Sequence, residues 1–345
     1  MPSCEIHLLH MQTSNSNEPL SQFIAASSKR NEGSQSRLAR AKPVLKWIVI
    51  LIVFVFLGLT IQRAVRDVQA NQEHLDFAKM KPAWILLGTG FYIFGLFPAS
   101  LSWLQTLWAF KQDISAKIAL HAYFLGHLGK YVPGKAMVIV LRAGKLLPHG
   151  VELKPTIVSI FVETLTSIAM GAVLGCSLLL FQKPPAWMFW SAILCIPAAI
   201  LFLIPHTFRT VLTILAKSRI GKMPRSVSEA FTWRMMGRTC SWMLLGWILH
   251  GMATWFILQG IYPQGSFSVA HTIPVCIAAN ALGAVVGFAS MLPGGAVVRE
   301  LVITWLLSTI VPQPVALVSA IAFRVCNLIA ELVTIAWFSL LARRR

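Results

Sequence analysis

The stretch that decides the reading is YVPGKAMVIVLRAGK, Tyr131 to Lys145. Its apolar run is too short to cross a bilayer, which takes roughly 20 residues, yet longer runs flank it on both sides. Lys130, Lys135, Arg142 and Lys145 bracket it, and Pro133-Gly134 stands at its head. Pro133 removes a backbone donor and Gly134 permits a turn. The helix that follows starts with N–H groups open to an anion. Add Lys130, Lys135 and Arg142, and the stretch has the makings of a phosphate site. Unwound backbone is tolerated at membrane depth where protein or a water-filled cavity surrounds it. The competing reading is that Lys135 and Arg142 simply snorkel to the interface.

Outward from this stretch, apolar spans of helix length fall near 44–62, 83–109, 155–181, 186–204, 239–260 and 314–341. Two further regions, 114–145 and 268–311, are apolar but interrupted, at Pro133-Gly134 and at Pro293-Gly294-Gly295. The chain of 345 residues is 56% hydrophobic and only 12% charged, against about 25% charged in a soluble domain. The fold class is therefore an all-α polytopic membrane protein, with six full spans and two broken regions. Residues 1–43 are rich in Ser, Asn and Gln and basic towards their end, a composition that cannot bury a core and predicts a disordered tail. No small-residue cleavage site follows Ile61, which argues against a signal peptide. The integral membrane domain is expected over 44–342.

Lys and Arg number 30 against 12 Asp and Glu, a net charge of +18. In a membrane protein that excess collects in cytoplasmic loops, and no nucleic-acid-binding signature accompanies it. The six cysteines form no CxxC pair and the nine histidines no HExxH pair, so neither a metal site nor a disulfide framework is indicated. There is no GxxxxGK[ST] loop for ATP, and no cofactor is expected. His127, three residues before Lys130, reads as a packed or interfacial histidine.

Basic residues also set the topology. The tail before residue 47 holds six Lys or Arg against three Glu, and the loop 205–238 holds seven against Glu229 alone. Both are expected on the cytoplasmic side, together with Arg343-Arg344-Arg345. The first half of that loop, with Phe208, Val211, Leu212 and Leu215 on one side, has the pattern of a helix lying in the membrane surface. Parity then closes only if 114–145 and 268–311 each return to the side they entered from. Both read as re-entrant hairpins, one opening inward and one outward. PGKAMV (133–138) also matches PGGAVV (293–298) at Pro, Gly, Ala and the last Val. Glu163 follows Pro133 by 30 residues and Arg324 follows Pro293 by 31. Opposite entry sides and similar breaks predict an inverted repeat, which in transporters places broken helices at a central binding site.

An ionisable side chain in the hydrocarbon core costs about 2.5–3.5 kcal/mol on insertion scales. Glu163, Arg299, Glu300, Arg324 and Glu331 all fall in apolar regions, with Asn327 between the last two on a similar helix face. They are either ion pairs that lock helices together or groups facing a cavity. An inverted repeat would bring Glu163 and Arg324 near a common centre.

The ordered motifs GKYVPGKAM, FVETLTS, LPGGAVVRE and AFRVCNLIAEL resemble the lysylphosphatidylglycerol synthase transmembrane-region family. That family includes the flippase half of the bacterial protein MprF and stand-alone proteins of the YbhN type. Lys130, Tyr131, Pro133, Gly134 and Lys135 match a motif whose usual form is KYIPGKVW. Pro293, Gly294, Gly295, Arg299 and Glu300 match LPGGLGVRE, and Glu163 and Arg324 match the helix positions after each break. Met137 stands where the family often has Trp, Val297 where it usually has Gly, and Thr164 where it tends to have Arg.

The resemblance implies a multi-pass protein of the bacterial cytoplasmic membrane that moves or binds an amphiphile with a phosphate-type head group. Lys130, Lys135 and Arg142 would receive the head group, and Arg299 would offer a cation from the second hairpin. Glu163, Glu300 and Glu331 would hold the halves together or meet a cationic head group. Expected partners are a membrane lipid as substrate, a lipid-synthesising enzyme and a second copy of the chain. The aminoacyl-transferring members carry a soluble catalytic domain after the membrane region, and no such sequence follows here before Arg345. The alternative is a membrane subunit or enzyme of polyprenyl, hopanoid or aminoacyl-phospholipid metabolism, against which stands the absence of a DxD or ExxH spacing in any loop.

Overall fold

The computed structural model describes residues 79–131, 136–219, 223–263, 265, 268–290, 292, 295 and 297–343, all within one unit, Val55–Arg345. The expected tail and the span 44–62 lie outside the described residues. So do Pro133, Gly134, Lys135, Pro293 and Gly294.

Apolar runs of this length have no partner for their backbone groups in lipid except themselves, so they form helices. Eleven α-helices are described: α1 Pro82–Ala109, α2 Ala116–Gly126, α3 Ala136–Leu146, α4 Leu153–Leu180, α5 Ala186–Leu203, α6 Pro205–Arg219, α7 Arg225–Glu229, α8 Trp233–Ile261, α9 Val269–Ala289, α10 Val298–Leu307 and α11 Gln313–Arg343. Short 3₁₀ turns, His127–Tyr131 and Leu147–His149, follow α2 and α3. Six helices are long and apolar enough to cross a membrane: α1, α4, α5, α8, α9 and α11. The chain is a multi-pass membrane protein.

Five of these six coincide with expected spans. The sixth, α9, falls in the region read as an interrupted re-entrant arm. It runs unbroken for 21 residues despite Pro274 near its start, about 31 Å at 1.5 Å per residue. A single proline leaves the turns on either side of it intact, so the helix continues to the break after Ala289. Its companion α10 has 10 residues, about 15 Å. In the first broken region α2 and α3 have 11 residues each, about 16 Å, and neither can cross alone. The two regions thus differ: the first joins two half-length helices, the second a full-length helix and a half-length one.

The bundle is organised on the antiparallel pair α1 and α8. Small residues bring their backbones together, as between membrane helices generally. A Cβ on Gly88 would lie 2.8 Å from the Ala253 carbonyl oxygen and 2.7 Å from Ile257 Cγ1. The Lys81 N–H donates to the Gly260 carbonyl at 2.8 Å and fastens the two ends. Around the pair, α2, α9, α10 and α11 close a core that includes Trp103, Leu107, Phe124, Ile303 and Phe323. In contrast α5 packs chiefly along α4 and buries only Ala192. Its apolar side chains face outward, as expected of a helix whose solvent is lipid.

A second cluster gathers Phe110, Val158, Phe208, Leu212, Val227, Phe231 and Met236 at one end of the bundle. Here α6 departs from the sequence reading. Phe208 and Leu212 are fully buried against α1, α4 and α8, whereas Ile214 and Leu215 are exposed. The apolar stripe serves mainly to dock α6 on protein, because the ends of three longer helices offer it an apolar bed.

Candidate functional site

Positions 324, 327 and 331 recur at helical spacing and so share a face of α11. On that face Glu331 is 2% exposed. Its Oε1 accepts from the Tyr92 hydroxyl of α1 at 2.7 Å and from Lys130 Nζ. His127 Nδ1 lies 3.9 Å away. Tyr92 is held by stacking on His250 of α8, with ring centroids 4.8 Å apart. Glu331 is therefore where the first broken region, α1 and α11 meet.

A second centre lies inside the first half. Arg142 on α3 donates to Glu163 Oε2 on α4 at 2.8 Å, and the Tyr123 hydroxyl donates to Glu163 Oε1 at 3.2 Å. The guanidinium sits over Tyr123 at 4.2 Å and Trp103 at 4.8 Å. Trp103 is itself fixed by donating to Ser159 Oγ at 2.9 Å. Gly126 leaves room for the arginine, since a Cβ there would lie 2.7 Å from Arg142 Nε. The Tyr123 ring reaches His127 at 5.2 Å and so connects this centre to Glu331.

The third centre is built on α9, α10 and α11. Arg299 donates to Asn280 Oδ1 at 3.0 Å, and Asn280 donates in turn to the His250 carbonyl at 3.1 Å and Thr254 Oγ1 at 3.0 Å. Arg299 also lies over Phe323 at 5.7 Å. Arg324 Nη1 is 3.5 Å from Glu300 Oε1. Near these pairs, Arg299 Nε, Glu300 Oε2, Thr304 Oγ1 and both amide atoms of Asn327 are buried with no hydrogen-bond partner among the described residues. A buried polar atom left in that state costs about 1–3 kcal/mol, which a water or a ligand group would recover.

These charges act on one another. The fields of Arg299 and Arg324 reach Lys130, and those of Glu300 and Glu331 reach Arg299. Among the described residues three cations meet two carboxylates there, an arrangement that favours a further anion.

Both breaks are closed by glycine. A Cβ on Gly129 would lie 2.4 Å from the backbone nitrogen of Val138, and one on Gly295 would lie 2.9 Å from Gly287 Cα. Gly295 has φ +64°, a conformation open to glycine at little cost. Val297, which caps α10, has φ 74° and ψ −56°. A β-branched residue is strained there, and this is the position where the resembled motif usually carries Gly. Such strain costs roughly 1–3 kcal/mol, more than the roughly 0.5–1 kcal/mol of backbone entropy that glycine loses. Val297→Gly is therefore expected to stabilise the protein by about 1 kcal/mol, read as a higher midpoint of thermal unfolding in detergent; a lower midpoint would show that the valine side chain contributes more by packing than it costs.

Of the expected site residues, Lys130 and Glu331 meet directly, Arg142 meets Glu163, and Glu300 meets Arg324. Arg299 stands beside this last pair in sequence, and Asn327 shares the face of Arg324 and Glu331. Glu163 pairs with Arg142 and accepts from Tyr123, and Arg324 lies 3.5 Å from Glu300. Of these pairs, half-length α3 carries the cation Arg142 and half-length α10 the carboxylate Glu300. The side chain of Tyr131 lies outside the described residues. Tyr92, Trp103, Tyr123, His250 and Asn280 were not anticipated, although a tyrosine, histidine or asparagine inside an apolar span carries the same kind of signal as a charge. His127 is packed, but packed against Glu331.

An all-helical bundle with six helices long and apolar enough to cross a membrane defines a class: multi-pass membrane proteins. The chain belongs to the lysylphosphatidylglycerol synthase transmembrane-region family, whose model matches residues 44–334. A comparison with curated proteins finds no match.

Proposed function

We propose that this protein is a lipid flippase-like transporter, which binds an amphiphile with an anionic, phosphate-type head group and carries that group between the two leaflets. The observation that carries the reading is the pair of charge clusters inside the bundle, Lys130 with Glu331 and Arg324 with Glu300. Arg299 stands beside the second of them in sequence and within reach of both carboxylates' fields. Burying so many ionic groups is weak as a stability device, because desolvation offsets the attraction. It makes sense as a site where a travelling anion exchanges partners with resident carboxylates. In that scheme Lys130 and Lys135 take the head group first, and Glu331 yields Lys130 to it. Arg299 and Arg324 then receive it from the second half, where Asn327 and Thr304 offer hydrogen bonds.

In the same scheme Arg142 and Glu163 hold α3 on α4 and orient the first broken region. The two broken regions act as an inverted pair, the basic loop 205–238 lies in the cytoplasm, and the membrane is the bacterial cytoplasmic membrane. Movement of a labelled anionic phospholipid by the purified protein in liposomes tests the proposal. Protein-free rates would overturn it.

A further inference from the structure

We propose a second lipid site, separate from the buried charge centre: the depression between the start of α6 and the start of α8 binds the phosphate of an anionic phospholipid at the membrane boundary. The depression has a volume of about 360 Å³, with Pro205 and Phe231 in its lining and His206, Arg209, Thr232 and Trp233 around them. Phe231 and Pro205 are buried, while His206, Arg209 and Trp233 are exposed. It therefore combines an apolar floor with a cationic rim.

Its position fits a head group. The candidate span in α5 ends at Leu203 and the one in α8 begins at Trp233. The depression thus lies between the ends of two candidate spans, where the basic residues Arg234 and Arg238 close the apolar part of α8. Trp233 is 72% exposed, in the place where aromatic side chains mark the interface. Leu194, Ile200 and Leu201 on α5 are exposed as well, an apolar track leading up to it. An acyl chain against α5 would bring its phosphate to Arg209 and His206. This continuity selects a lipid over a free phosphate ion.

The charges are available. Glu229 is the sole acid in 205–238, and it is taken by Arg225, whose Nε donates to Glu229 Oε1 at 2.6 Å. Among the described residues the side chains of Arg209 and His206 have no hydrogen-bond or ion-pair partner. Thr232 Oγ1 already accepts from the Met235 N–H at 3.2 Å, which leaves the phosphate to the two basic side chains.

The test is retention of dioleoyl phosphatidylglycerol and dioleoyl phosphatidylcholine by the purified full chain, measured by native mass spectrometry. The anionic lipid is expected to be held more tightly, and Arg209→Gln to weaken it by about tenfold, the usual loss for one charge-assisted hydrogen bond. Arg209→Lys should keep most of the affinity. Arg238→Gln, which removes an exposed cation outside the depression and leaves the Arg225–Glu229 pair intact, should leave it unchanged. Arg299→Gln should also leave the Arg209-dependent lipid unchanged, so this site can hold or fail independently of the buried centre. Equal effects of Arg209→Gln and Arg238→Gln would overturn the site, as would equal retention of the two lipids. Displacement of the bound lipid by millimolar inorganic phosphate would show an ion site instead and overturn the lipid assignment.

Discussion

Glu331→Gln is expected to destabilise the protein by about 2 kcal/mol, below the roughly 3–5 kcal/mol for a fully buried ion pair, because the Lys130 side chain left behind is 31% exposed. The glutamine keeps an acceptor for the Tyr92 hydroxyl but removes the negative charge that faces Lys130 at 2% exposure. The fields of Arg299 and Arg324 already oppose the lysine, so it loses the close counter-charge that Glu331 supplies. The measurement is thermal or denaturant unfolding in detergent. The loss should shrink in the double variant Lys130→Met with Glu331→Gln, because a contacting pair couples by about 0.5–3 kcal/mol. Additive losses would mean that Glu331 is stabilised by its surroundings without Lys130.

The second large effect is at Glu163. Replacing it by Gln leaves Arg142, whose side chain is 5% exposed, with the faces of Tyr123 and Trp103 and no carboxylate beside it. Those cation–π contacts are present in the wild type as well and so offset nothing. A loss of about 3 kcal/mol is expected, the low end of the range for breaking a buried pair. Its cycle with Arg142→Met should show strong coupling, whereas Glu163→Gln and Arg324→Gln should add within about 0.5 kcal/mol in stability. The opposite ranking, read from the same unfolding curves, would return Glu163 and Arg324 to a common pair.

Most of the architecture was legible because lipid imposes one rule on long apolar runs. Spans α1, α4, α5, α8 and α11 follow from length and hydropathy, while Pro133, Gly134, Pro293 and Gly294 lie outside the described residues. The same rule hid the status of α9, since Pro274 and the downstream break made one region look equally broken throughout. The charged members of the site were legible from their insertion cost. Their pairing was not, because partner choice depends on which helix faces touch, and Arg142 is turned towards Glu163 by Gly126 and Trp103. Tyr92 and His250 escaped notice because a stacked pair from α1 and α8 leaves no mark in either segment alone. Phe208 and Leu212 illustrate a further limit: an amphipathic stripe has the same period whether it meets lipid or protein.

The central claim is that an anionic head group passes through the buried charge centre. It is tested most directly by the rate at which a fluorescent phosphatidylglycerol changes leaflets in liposomes containing the protein. Arg299 is the residue to change, since it reaches Asn280 at 3.0 Å and has its Nε without a partner among the described residues. Wild type should move the anionic lipid faster than a matched phosphatidylcholine. Arg299→Gln should cut that rate by roughly tenfold, the effect of one lost charge-assisted hydrogen bond, while Arg225→Gln leaves it unchanged. Equal rates for Arg299→Gln and wild type, both above protein-free liposomes, would contradict passage through this centre; rates no higher than protein-free liposomes would contradict transport itself.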